Sequence, residues 1–260
     1  MGFAVSDELL AIFVPIILYW VCSGIYVLLG SLFENYRLHS KIDEDEKNLV
    51  PKRTVVKGVL LYQTFQAVVV SLLFMFTENV KGDTAGPNPS LMVLARQFII
   101  AMLVLDTWQY FVHRYFHHSK FLYKHIHSLH HRLIVPYAFG GIYHHPLEGL
   151  ITDVIGGALA VLLSGMSPRA SIFFFSFTTV KNVDDHCGLW FPHWNLFHIF
   201  FRNNTAFHDI HHQLHGSKYN FATPFFVHWD RILGTYMPYS LEERIGGGFE
   251  ARPLKDYKDD

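Results

Sequence analysis

Three long apolar runs and one shorter pair frame the chain. Residues 9–30 carry no charge, enough helix to cross ~30 Å of hydrocarbon. Pro15 lies inside this run, where a membrane helix tolerates it. The run follows Asp7 and Glu8 rather than a basic leader and is too long for a signal-peptide core, so it reads as a retained anchor. Residues 55–76 form a second run, interrupted only by Lys57 and scattered Gln and Thr. Residues 91–112 form a third, with Arg96 near its start and Asp106 inside it. Residues 147–163 and 170–180 flank the sequence SGMSPR. Each is short of the ~20 residues of a comfortable span. The pair therefore reads as a helical hairpin that dips into or crosses the bilayer, turning at Ser167-Pro168.

Between the runs, polarity sets the orientation. Arg37, Lys41, Lys47, Lys52 and Arg53 crowd the first connection, whereas the Gly/Pro/Asn-rich loop TENVKGDTAGPNPS carries the single Lys81. Basic loops stay in the cytosol. The third run then returns to the cytosolic face and delivers His113 at the interface. A carboxylate such as Asp106, near the end of that run, is costly in lipid without a partner. An ion pair or a supporting role behind the metal ligands is therefore expected for it. From Asp184 onward the chain turns polar and aromatic, which predicts short amphipathic helices at the membrane surface with Trp190, Trp194 and Trp229 as anchors. Residues 244–260 read as a loose tail. The expectation is an all-α integral membrane protein in one unit: spans and loops over 1–90, a catalytic core over 91–240, and a tail. Transmembrane helices and the hairpin carry a cytosolic helical cap.

Composition agrees. Half the residues are hydrophobic and 16% aromatic, and the mean hydropathy is +0.19. The net charge of −1 gives no basic surface for nucleic acid. Cys22 and Cys187 lie in an apolar run and beside a histidine, so they read as packing thiols rather than a disulfide framework.

Histidine changes the picture. Seven of the 18 histidines fall between His113 and His131, in HRYFHHSKFLYKHIHSLHH. His113 and His117 are spaced i, i+4, which puts both rings on one helical face. His127, His130 and His131 follow i, i+3, i+4, and His208, His211 and His212 repeat that spacing in HDIHH. Neutral imidazole suits Fe, Zn, Cu and Ni. A single structural zinc takes about four ligands, and these three boxes offer eight, so two metals are expected between two helical segments. The neutral ligands suit a redox metal that binds dioxygen. A solvated histidine tract would lack ordered spacing. A zinc hydrolase lacks its HExxH here, and a transporter would hold its ligands near the midplane. His145 and His186 lie in polar breaks beside the hairpin and are added as ligands, with His144 the alternative to His145. His118 and His125 sit off the faces of their boxes. His39, His193, His198, His215 and His228 lack partner spacing and read as structural. Glu148, Asp184, Asp185, Asp209 and Asp230 are acceptors for the far N–H of ligating rings.

In order along the chain, HRYFH, HSLHH, HHPLEG, DDHCG, FHDIHH and WDRILGTY resemble the fatty acid hydroxylase superfamily of membrane di-iron enzymes. A narrower likeness, to its sphingoid-base hydroxylases, rests on MGFAVSDELL, YRLHSKIDEDEKNLV and KYNFATPFFVHWDRILGTYMPYSLE. The resemblance implies C-4 hydroxylation of a long-chain base, free or as ceramide, in the endoplasmic reticulum membrane. It implies two iron ions, replaceable by zinc in purified protein, O2 as co-substrate, and electrons from NAD(P)H through cytochrome b5 and its reductase. The family's ligand roles carry over to His113, His117, His127, His130, His131, His208, His211 and His212. Sterol C-4 methyl oxidation or lipid desaturation on the same metal core is the alternative. The triplet Asn203-Asn204-Thr205 matches a glycan acceptor and stays bare if this face is cytosolic.

Overall fold

The computed structural model describes residues 6–81, 89–192 and 194–254, with side chains in all of these except 77–81. His193 and the final six residues of the expected tail lie outside them.

Each apolar run becomes a helix, and short polar side chains set where it begins. α1 (Asp7–Leu32) starts at Ser6, whose Oγ accepts the Leu9 N–H at 3.3 Å, and it runs through Pro15 without a break. α2 (Lys41–Lys47) is a short polar helix capped by Ser40 and Asp43 reciprocally. α3 (Lys52–Lys81) and α4 (Leu91–His118) are the second and third spans, and Ser90 caps α4. α5 (Lys120–His125) follows immediately, capped by Ser119, and His127–Arg132 continue as a 3-10 turn. The second histidine box is thus not part of a continuous α-helix. The chain breaks at Ser119 and again at Ile126, which folds the box back over α4.

The expected hairpin is present, and its first arm is long and apolar enough to cross a membrane. α6 (Pro146–Gly149), a π turn (Leu150–Ile155) and α7 (Gly156–Ser164) form one rod, Pro146–Ser164. The π turn leaves the Ile151 carbonyl for the Trp108 indole N–H at 2.8 Å. Gly165 turns the chain at a φ of 67°, and Pro168 opens α8 (Pro168–Asp185) behind a Ser167 cap. α8 runs parallel to α1: Arg169 pairs with Asp7 at 3.2 Å at one end, and the Tyr26 hydroxyl donates to Asp184 at 2.5 Å toward the other. Gln97, early in α4, donates to the Gly165 carbonyl at 2.7 Å. The starts of α1, α4 and α8 therefore share one end. The ends of α1, α4 and α8 and the starts of α3 and α6 share the opposite one. All the histidine boxes belong to that second end.

Among the described residues, four helices are long and apolar enough to cross a membrane: Asp7–Leu32, Lys52–Phe76, Leu91–His118 and Pro146–Ser164. Their outward residues, such as Ile17, Leu28, Met75, Leu103 and Leu162, are exposed. This is the lipid-facing band that such a bundle needs. The fold is a multi-pass helical membrane protein.

Beyond α8 come the short helices expected there: α9 (Leu196–Phe200), α10 (Thr205–His212) and α11 (His228–Ile232). Trp194 is 75% exposed, as an interfacial anchor is. Trp190 stacks on His198 at 4.6 Å, and Trp229 donates to Thr107 at 3.0 Å, so both are half-buried. The tail is not loose through its described part. β1 (Tyr239–Glu243) pairs antiparallel with β2 (Phe249–Pro253). Gly246, Gly247 and Gly248 take the left-handed turn between them. Met237 and Ala251 are buried against Leu38 and Ile210, so the hairpin covers α10.

Candidate metal centre

Among the described residues, nine histidines converge in two groups. His113, His117, His127, His131 and His211 form one, and His130, His186, His208 and His212 the other. Within each group the ligand nitrogens lie within 4.8 Å of one another. The groups adjoin, with the His131 and His212 rings 4.8 Å apart. His113 and His117 come from the end of α4, and the pair His127 and His131 from the 3-10 turn folded back upon it. His130 comes from the same turn, His186 caps α8, and α10 supplies His208, His211 and His212. Asn204 fixes the start of α10 by accepting from Ala206 and Phe207, each at 3.1 Å.

Hydrogen bonds on the far sides of the rings decide what the near sides can do. The Nδ1 of His113 faces the Phe221 carbonyl at 2.8 Å, that of His186 faces Asn182 at 2.8 Å, and that of His211 faces Tyr219 at 2.7 Å. His212 faces the Leu133 carbonyl at 2.8 Å and His130 the Tyr143 carbonyl at 3.3 Å. His127 faces the Glu148 carboxylate at 2.7 Å. A carbonyl oxygen only accepts, so these Nδ1 atoms carry the proton and their Nε2 atoms are bare lone pairs.

Those lone pairs are crowded together. His208 Nε2 lies 2.9 Å from His186 Nε2 and 3.0 Å from His212 Nε2. A neutral His208 has one N–H and can serve only one of them. In the other group, Nε2 of His127 lies 2.9 Å from that of His117, and His131 is 3.0 Å from both. Burial, then the neighbouring imidazoles, hold His130, His131, His208 and His211 well below the ordinary histidine range. Burial also pushes His186 down to about 4. Protonation therefore does not relieve the crowding. A cation in each group does. Ligands about 2.1 Å from one ion and at right angles sit ~3.0 Å apart, the spacing found here. The donor set fits two metal ions.

The other expected residues fall elsewhere. His145 joins neither group. Its Nδ1 accepts the Leu147 N–H at 3.2 Å as the cap of α6, which turns the ring away. His144 pairs with Asp153 at 3.3 Å beneath the site. Of the supporting acids, only Glu148 touches a grouped ring. Asp209 bonds His39 at 2.7 Å, Asp185 pairs with the buried Lys181, and Asp184 holds Tyr26 and Asn195. Asp106 makes no ion pair. Its oxygens accept the backbone N–H of Phe225 at 3.0 Å and of Phe226 at 2.7 Å. Asp230 likewise holds Phe221 and Ala222 at 3.0 and 2.8 Å. These two buried carboxylates clamp the loop whose Phe221 carbonyl orients His113. They act on the site through backbone, not through a ring.

Sequence reasoning missed Lys181, which is fully buried and also donates to the Asn203 carbonyl at 2.9 Å. Its i, i+4 spacing to Asp185 was the available signal. The carbonyl acceptors leave no side-chain signal at all. His118, His125, His198, His215 and His228 stay outside both groups. A cleft of about 300 Å³ lined by Tyr123, Arg132, His131 and His212 reaches one ring of each group from the polar side.

Apolar spans joined to two adjoining groups of buried histidines define a multi-pass membrane protein with a candidate metal centre. The fatty acid hydroxylase family model matches residues 98–235, and the chain belongs to that family. It is 68% identical over 260 residues, all of this chain and 99% of the relative, to "Sphinganine C4-monooxygenase 1" of Arabidopsis thaliana. It is 67% identical, over the whole of both chains, to "Sphinganine C4-monooxygenase 2" of the same plant. It is also 59% identical over 97% of both chains to a "Very-long-chain aldehyde decarbonylase" of Oryza sativa subsp. indica. No solved structure matches the chain.

Proposed function

We propose that this protein hydroxylates a long-chain sphingoid base at C-4, using O2 at two iron ions held by the nine grouped histidines. The full-length 68% identity to a sphinganine C4-monooxygenase carries this reading. The reaction balances as one C–H bond, O2, two electrons and two protons giving the alcohol and water.

The metal ions, when bound, supply the reductive activation of O2. The rest is the work of the chain. The backbone carbonyls and Glu148 fix the tautomers of His113, His127, His130, His186, His211 and His212 and leave their Nε2 atoms for the metals. Burial keeps the rings neutral and leaves the polar-side cleft as a narrow contact with water, which limits side reactions of an activated oxidant. The electrons come from outside, and we assign cytochrome b5 and its reductase, drawing on NAD(P)H, as donors. The cleft at His131 and His212 offers them an approach to both groups. The basic residues of the first connection, at the same end as the histidines, favour a cytosolic site, and a sphingoid substrate favours the endoplasmic reticulum membrane.

Conversion of an aldehyde is a second reading, favoured by the 59% identity to the rice relative. Lipid analysis of a host lacking C-4 hydroxylated bases, supplied with ¹⁸O2, separates the two. The expected result is a trihydroxy base carrying label from O2. Oxygen drawn from water, or an alkane product alone, overturns the first reading.

A further inference from the structure

A cavity of about 870 Å³ lies between the second half of α1, α8 and α9. Tyr26, Leu29, Phe177, Asn195, Phe197 and Phe201 are among its walls, and no grouped histidine lines it. Its volume falls within the roughly 300–1,000 Å³ of ligand cavities.

Two of its polar wall residues, Tyr26 and Asn195, are already committed. The Tyr26 hydroxyl donates to Asp184 Oδ1 at 2.5 Å, and Asn195 Nδ2 donates to the same oxygen. Asn195 Oδ1 accepts the Phe197 N–H at 2.8 Å. These two residues thus offer the cavity carbon rather than spare polar atoms. The rest of the wall is largely aromatic and aliphatic, and a hydrocarbon chain needs no polar partner.

The position supports the same occupant. Asp184, which Tyr26 and Asn195 clasp, stands two residues before His186 of the four-histidine group. Phe177 and Phe201 also pack on Phe225 at 5.5 and 5.9 Å, and Phe225 belongs to the loop that Asp106 clamps. The aromatic wall is therefore continuous with the clamped loop, and its polar edge adjoins the end of α8 that carries His186. On the outer side, Trp194 and Phe200 are each 75% exposed, where the bilayer provides the solvent.

We propose that this cavity holds the hydrocarbon chain of the lipid substrate while the reacting carbon lies at the histidines. The proposal rests on the lipid-hydroxylase reading above. It makes the cavity a ruler of chain length: adding bulk shortens the accepted chain, and removing it lengthens the accepted chain.

The test uses full-length, iron-loaded protein in lipid nanodiscs. Leu29→Trp is expected to raise KM for an octadecyl base on the order of 10-fold, leaving a dodecyl base and the metal content unchanged. Phe197→Ala is expected to shift preference the opposite way. An octadecyl base bearing a terminal diazirine should label peptides of α1 or α9, and unlabelled base should compete. Equal losses on both bases, or labelling elsewhere, overturns the proposal. So does labelling of these helices by a diazirine phospholipid that the base fails to displace. Wild-type protein that converts neither base refutes the hydroxylase reading instead, and the labelling result still decides the cavity's occupant.

Discussion

His130 and His131 are neighbours in the chain, yet their nitrogens belong to different groups, with ring planes 82° apart. The same division occurs in α10, where His208 and His212 serve one group and the intervening His211 the other. In both boxes the i, i+4 pair stays together and the i+3 ring crosses over. Each group thus draws ligands from both boxes, so neither can form before the two segments meet.

This division makes the two substitutions unequal. His130→Ala leaves three nitrogens in its group, whereas His131→Ala leaves four in the other. Metal analysis of the purified variants should find His130→Ala reduced toward one ion per chain and His131→Ala closer to two. Hydroxylation should fall in both, by about 100-fold or more for His130→Ala. Full metal content in His130→Ala would remove that ring from the ligand set.

Glu148 is the only side-chain acceptor behind a grouped ring among the described residues. Glu148→Gln keeps the size but presents an amide that can also donate, so His127 loses its fixed tautomer. Metal affinity is expected to drop about 10–100-fold, read by competition with a chelator, while the helical signal in circular dichroism is unchanged. His145→Ala, by contrast, removes only a cap and should retain both metals.

The clamp at Asp106 gives a stability prediction. Asp106→Ala strands two buried N–H groups, at about 1–3 kcal/mol each. Asp106→Asn keeps an acceptor and should cost less. Thermal unfolding in detergent should rank the three proteins in that order, with activity following stability. Equal Tm values would show that the loop holds itself.

The sequence made the spans, the hairpin and eight of the nine grouped histidines legible because each depends on local periodicity. His186 was also found, from its place in a polar break, but His145 was added on the same ground and proved to be a cap. Nothing local distinguishes the two, since the difference lies in which helix end each residue terminates. The roles of Asp106 and Asp230 were similarly invisible. Both bind backbone more than five residues away or across the fold, and backbone donors carry no sequence signature. The hairpin of residues 239–253 was missed because its glycine run reads equally as a flexible tail.

Acid should destabilise the protein through its histidines. His186 is pushed down to about 4 in the fold from an ordinary 6.5, by burial first. His130, His131, His208 and His211 are displaced in the same direction. A base with a depressed pKa resists protonation when folded and takes up a proton when unfolded. Its contribution is complete above about pH 6.5 and declines as pH falls toward 4. Tm should therefore be level from pH 7 upward and fall steeply between pH 6 and 4. A Tm independent of pH across that window would contradict neutral, buried rings.

Orientation needs a different probe from glycosylation. Asn203 is fully buried and donates to the Ala222 carbonyl at 2.9 Å, so its triplet stays bare in the folded protein on either side of the membrane. Exposed positions at the two ends do discriminate. Ile42 is 68% exposed at the histidine end, and the Arg169 side chain is 68% exposed at the other. Replacing Arg169 breaks an exposed ion pair worth about 0–1 kcal/mol, which the fold can lose. With Cys22 and Cys187 changed to alanine, single cysteines from Ile42→Cys and Arg169→Cys can be treated with an impermeant maleimide in sealed microsomes. Ile42→Cys should react at once and Arg169→Cys only after detergent. The reverse pattern would place the histidine groups in the lumen, away from a cytosolic electron donor.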